Sequence, residues 1–173
     1  MIECPECGFA YESVGLDEIP IVLRELGSRF SVAIEGIDDA ILRGRTDPMV
    51  WSPLEYLCQV RDVFLIQRDR AVLALIEDRP SFPRMYRDER VDLVHYASEA
   101  PGQVVQDQLR VAADLVAGVF SARSPDEWQR PLIYNYPEPV ERDLAWLGRH
   151  TVHEGEHHLF DIDRQLTPGV RDR

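Results

Sequence analysis

Hydrophobic residues recur at three-four spacing in four stretches of the chain. From Leu16 onward, Ile19, Val22, Leu23, Leu26, Phe30, Ala33, Ile34, Ile37 and Ile41 share one helical face, which predicts a first helix ending at Gly44. Asp17 and Glu18 suit the positive end of that helix, and Pro20 is tolerated in its first turn. The clearest helix start follows a linker over 47–52. Ser52-Pro53-Leu54-Glu55 supplies a capping serine, a proline at the first helical position and a glutamate three residues after the cap. That helix is predicted to run to about Glu77. A third covers about 103–122, carried by Val104, Val105, Leu109, Ala112, Leu115, Val116 and Val119, and a fourth spans about 140–166.

The connections read differently. Residues 78–101 hold Pro80, Pro83 and Pro101 amid mixed charges, which predicts a long loop with one short helical turn; loops of that length are often functional. Ser124-Pro125-Asp126-Glu127 looks like a second capped start, of one turn, and residues 131–140 are rich in proline and aromatics. No convincing run of strands appears. The expectation is an all-α, up-and-down-like bundle of four long helices over 16–166, with a short polar head at 1–15 and a frayed tail at 167–173.

Bulk numbers narrow the picture. The chain of 173 residues suits one domain with a sizeable core. A formal net charge of -12 argues against a nucleic-acid partner. No apolar run approaches the roughly 20 residues that a membrane span needs, and no basic flank precedes an apolar stretch at the N-terminus. A cytoplasmic protein is expected, and its three cysteines read better as thiols or metal ligands than as a disulfide framework.

The candidate chemistry lies at the two ends. Cys4-Pro5-Glu6-Cys7-Gly8 has the form of a rubredoxin-type or zinc-ribbon knuckle, with the thiolates brought together by a tight turn that Gly8 permits. On the last helix His153 and His157 are one turn apart and can aim two imidazoles at one cation. Asp161 stands a further turn on, placed to orient His157 as a carboxylate acceptor. Arg149 and His150 share that face and are candidates for binding a substrate, although ion pairing explains Arg149 as easily. His158 points toward the apolar stripe and reads as a hydrogen-bonded core residue, and Cys58 as a small buried apolar one.

Two segments, Trp51-Ser-Pro-Leu-Glu-Tyr-Leu-Cys-Gln-Val-Arg-Asp62 and His153-Glu-Gly-Glu-His157-His158-Leu-Phe-Asp161-Ile, resemble the DinB-like (YfiT-like) superfamily of bacterial metalloproteins over about 16–166. The resemblance implies a four-helix bundle holding a divalent metal, zinc or nickel, through one histidine on the second helix and two on the last. It also implies a metal-dependent S-transferase that uses a low-molecular-weight thiol such as mycothiol, or a related hydrolase, acting on a small-molecule substrate. Such bundles can pair through helix faces as homodimers. Carried over, His153 and His157 match the last-helix pair.

The second-helix histidine is missing: that position holds Gln59, a neutral and poorer ligand for zinc. Glu55 and Asp62 lie within about 60° of Gln59 on the helical wheel and are candidate supports or substitutes. His150 is too far from His157, about 10.5 Å along the axis, to share an ion easily. Two alternatives therefore stand beside the enzyme. One is a non-catalytic binding or stress-response module with a degenerate site. The other is a structural zinc closed by Cys4, Cys7, His153 and His157, two orphan pairs making one tetrahedral shell.

Overall fold

The computed structural model describes residues 3–167, so the tail expected at 167–173 lies, beyond Thr167, outside the described residues. The head begins as a tight hairpin: Glu3 and Ala10 form an antiparallel bridge, and Cys4 N–H donates to the Phe9 carbonyl at 2.9 Å. Gly8 N–H returns to the Cys4 carbonyl at 2.9 Å, with Gly8 at φ +73°, where a side chain would be strained. A short 3₁₀ turn, Tyr11–Ser13, then leads to the first helix.

Helix α1 spans Ile19–Ala33, and the long first helix expected from the sequence stops there. Gly36 at φ +72° turns the chain, and Asp38 caps a separate helix α2, Asp39–Arg43, by accepting from Ala40 N–H at 2.7 Å. Helix α3, Pro53–Ile76, starts with the full capping box: Glu55 N–H donates to Ser52 Oγ at 3.3 Å and Ser52 N–H to Glu55 Oε2 at 2.7 Å. The connection that follows holds strand β1 (Ser81–Phe82), helix α4 (Arg87–Leu93) and a 3₁₀ turn, Tyr96–Ser98. A network ties it to α3. Arg61, almost fully buried, donates to Asp62 at 2.8 Å and to Glu99 at 3.1 Å, while Tyr96 Oη donates to Asp62 at 2.6 Å.

Residues 101–120 form one helical rod in three parts: α5 (Pro101–Gln103), a π turn over Val104–Leu109, and α6 (Arg110–Phe120). The expected one-turn helix is α7, Pro125–Trp128, capped by Ser124 and Glu127. Strands appear where none were expected. β2 (Pro131–Asn135) and β3 (Pro139–Asp143) pair antiparallel, and β1 joins β2 in parallel, giving the order β1-β2-β3. The last helix, α8, spans Leu144–Leu166 and is capped by Asp143, which accepts from Trp146 N–H at 2.7 Å.

The four long rods make the expected bundle, but in an order that periodicity does not reveal. α1 packs on α6 and α8, and α3 packs on the same two, so α1 and α3 lie diagonally across the ring. Long connections from α1 to α3 and from α3 to α6 permit that crossing. Leu23, Leu26, Phe30, Leu57, Phe64, Val116, Phe120, Leu147 and Ile162 form the shared core. No helix among the described residues is long and apolar enough to cross a membrane.

The buried start of α3 yields a prediction. Glu55 is held by Arg45 through two hydrogen bonds of 2.8 and 2.7 Å, besides Ser52. Burial pushes its pKa up, but Arg45, the Ser52 N–H and the Ser52 hydroxyl outweigh that and hold it below the ordinary carboxylate value. Its stabilisation is therefore complete above the ordinary carboxylate range and is lost as pH falls through the lowered folded value. Glu55→Gln is expected to cost about 2 kcal/mol at pH 7. In urea unfolding, the gap from wild type should close below about pH 4.

Candidate metal centre

The centre forms where the hairpin head folds onto one face of α8. One ligand atom from each of Cys4, Cys7, His153 and His157 comes together, all four within 4.8 Å of one another. Cys4 Sγ lies 3.6 Å from His157 Nδ1. Ordinary zinc bonds to sulfur and to imidazole nitrogen, set at the tetrahedral angle, put those two atoms about 3.6 Å apart. The sequence pairs at the two ends of the chain thus meet in space.

The imidazoles are prepared for coordination. Tyr11 Oη sits 2.8 Å from His150 Nδ1 and 3.1 Å from His153 Nδ1. With a proton on His153 Nδ1 bonded to the phenol, His153 Nε2 presents a lone pair, and that atom is buried without a hydrogen-bond partner. Burial pushes the His153 pKa down to about 4, with His150, His157 and His158 adding to the effect against Glu154, so the ring is neutral at physiological pH. His157 points Nδ1 at Cys4 and Nε2 at two carboxylates, Glu6 at 3.4 Å and Asp161 at 3.6 Å. Such outer carboxylates fix the ring's orientation and tautomer. Burial pushes the Cys7 thiol up to about 11, opposed by the Phe9 N–H and reinforced by Cys4. At neutral pH Cys7 becomes thiolate only with a cation present.

The other expected site residues are distributed around this cluster. Asp161 also accepts from His158 Nδ1 at 3.1 Å, and His158 is buried as expected. Arg149 donates to the Val14 carbonyl at 3.0 Å and so fastens the head. His150 is enclosed: Trp146 stacks on it at 4.5 Å, and its Nε2 lies 3.2 Å from Tyr134 Oη and 3.4 Å from Glu154 Oε1. Gln59 is buried on α3 with its Oε1 lacking a partner. Glu55 and Asp62, expected to support it, are instead engaged by Arg45 and by Arg61 with Tyr96. Among the described residues a second group, His150, His153 and Glu154, also brings three ligand atoms within 4.8 Å.

Tyr11 and Glu154 were not evident from the sequence. Glu154 carried a signal, since it falls four residues after His150 and four before His158. Tyr11 carried none: only the folded head places it against α8.

A bundle of this ring order, with histidines on its last helix, defines a class. The DinB superfamily model matches residues 23–162, so the chain belongs to the DinB superfamily. Among solved structures, YfiT from Bacillus subtilis is similar at 17% sequence identity and a TM-score of 0.75, covering 88% of this chain and 90% of that one. YfiT is described as a probable metal-dependent hydrolase with an unusual four-helix bundle topology. No curated protein matches the chain.

Proposed function

We propose that the protein is a metal-binding member of this superfamily in which Cys4, Cys7, His153 and His157 hold one zinc ion as a structural centre. The observation that carries this reading is the convergence of the four ligand atoms within 4.8 Å. Two thiolates with two imidazoles are the donor set of structural zinc, and hard cations prefer oxygen. With all four positions taken by protein, the ion would fasten the head to α8 and leave no site for substrate.

The test is metal content by elemental analysis of the purified chain. About one zinc per chain is expected for wild type, and a large loss for Cys4→Ser. Gln59→His should leave zinc content and affinity unchanged, because the shell is already full. Unchanged zinc in Cys4→Ser would end this reading.

One observation favours a second, catalytic reading. His150, His153 and Glu154 offer three ligands and thus an open fourth position, the arrangement that metal-assisted hydrolysis or thiol transfer requires. A metal there, zinc or nickel, would lower the pKa of a bound water or of a thiol cosubstrate such as mycothiol. Both readings use His153, so they compete for it. Retention of metal in Cys4→Ser, lost on Glu154→Gln, would favour the open site.

A further inference from the structure

The four ligands of the Cys₂His₂ centre are all half-buried, but they do not share the same surroundings. Cys4 faces His157, and His153 is packed against Tyr11 and Phe9. Cys7 instead lines a pocket of about 250 Å³ that opens between the head and the α1–α8 edge, and none of the other three ligands reaches it. Phe9, Leu159 and Phe160 give the pocket an apolar wall. Its polar edge is Arg29 with Glu156, joined by two hydrogen bonds, one of 2.8 Å. That pairing neutralises the only cation in the wall, so the pocket selects for a neutral guest. Gly8 adds no bulk, since a Cβ there would meet nothing within 4 Å.

Resting on the zinc reading above, we propose that Cys7 is the reactive ligand of the centre, accepting an alkyl group from a small, uncharged electrophile with an apolar tail that enters this pocket. A metal-held sulfur is a thiolate and keeps a nucleophilic lone pair. It attacks the electrophilic carbon, a sulfur–carbon bond forms, and the bond from carbon to its leaving group breaks. For an alkyl halide the electron pair departs with the halide, and no proton moves. Cys7 becomes a neutral thioether, a poor partner for zinc, so the ion is released and the head loses its fastening. The chain would act once per molecule, as a trap or sensor for electrophiles.

The volume suits a single aromatic ring with a short arm, below the range of drug-sized pockets. Two probes separate recognition from bare reactivity: iodoacetamide, and its N-phenyl derivative iodoacetanilide. The zinc-loaded full chain is treated with each, the modified cysteine is located by peptide mass spectrometry, and released zinc is followed with a chromophoric chelator. Cys7 should be modified first, with one zinc freed per alkylated Cys7 and a rate that rises linearly with reagent. After correction for their rates with free cysteine, the phenyl reagent should react about tenfold faster. Phe160→Ala should remove most of that preference while keeping the metal.

A rate that levels off at the rate of spontaneous zinc loss would overturn the proposal. So would modification of Cys4 or Cys58 ahead of Cys7, or the absence of any preference for the phenyl reagent. If the chain binds no zinc, or Cys4→Ser binds it as well as wild type, the metal reading itself fails. Zinc bound through the four ligands with Cys7 inert overturns this inference alone.

Discussion

Chelation of the zinc-loaded protein is expected to detach residues 3–13 from α8 while leaving the bundle folded. The head has almost no core of its own. Among its side chains Tyr11 is the buried one, and its ties include the Tyr11 contacts with His150 and His153, the packing of Phe9 on His153, the Glu6–His157 pair and the Val14 carbonyl held by Arg149. Burying a ring of that size contributes about 2 kcal/mol. A ligand present at a thousand times its dissociation constant contributes about 4 kcal/mol. The ion therefore stabilises the docked head more than the ring does, and ordering the hairpin consumes much of what remains. Hydrogen exchange reads the change directly. The amides of Cys4 and Gly8, bonded to the Phe9 and Cys4 carbonyls, should lose protection by at least about a hundredfold on chelation. Amides in the middle of α3 and α6 should keep theirs. Undiminished protection of Cys4 and Gly8 after metal removal would mean that the head docks without the ion.

Short-range chemistry was legible in the sequence, and long-range placement was not. The Cys4–Cys7 knuckle and the His153–His157 pair each declare themselves within five residues, because a tight turn or one helical turn fixes their geometry. Capping boxes at Ser52 and Ser124 are equally local, and both formed as expected. Where the hydrophobic period ran through a break, it misled. Ile37 and Ile41 continue the pattern of α1, yet the turn at Gly36 resets the phase, leaving Ile41 exposed while Leu42 is buried. Along 101–120 the π turn shifts the inward face, so that Leu115 is exposed and Ala113 and Ala117 pack inside. The β2–β3 hairpin was hidden by its size. Leu132 and Tyr134 alternate inward over only five residues, too few to separate a period of two from noise. Periodicity names a buried face and says nothing of which helix covers it, which is why neither the ring order nor the approach of Tyr11 to His150 could be read in advance.

Among the glycines that covering is tightest at Gly155, between the two histidines of the candidate centre, and Gly155→Val should be among the most damaging single changes outside that centre. A Cβ at that position would lie 2.6 Å from Leu26 Cδ1 on α1 and 3.2 Å from Phe64 Cζ on α3. Both neighbours are fully buried in the core, so neither can swing into solvent. Alanine already requires the end of Leu26 to move, which offsets the gain of about 1 kcal/mol that replacing glycine in a helix otherwise brings. Valine adds two methyl groups at a branch point with a nearly fixed χ1, so it must push α8 away from α1 or α3. A loss of about 3–5 kcal/mol in urea unfolding is expected. The control is Gly118→Ala on α6, where an added Cβ meets nothing within 4 Å and stability should rise by up to about 1 kcal/mol. The displacement of α8 would also carry His153 and His157 out of register with the knuckle. Zinc affinity should therefore fall in Gly155→Val even where the bundle stays folded, and it should hold in Gly118→Ala. A valine variant as stable as wild type would show that α8 does not approach α1 and α3 as closely as this packing requires.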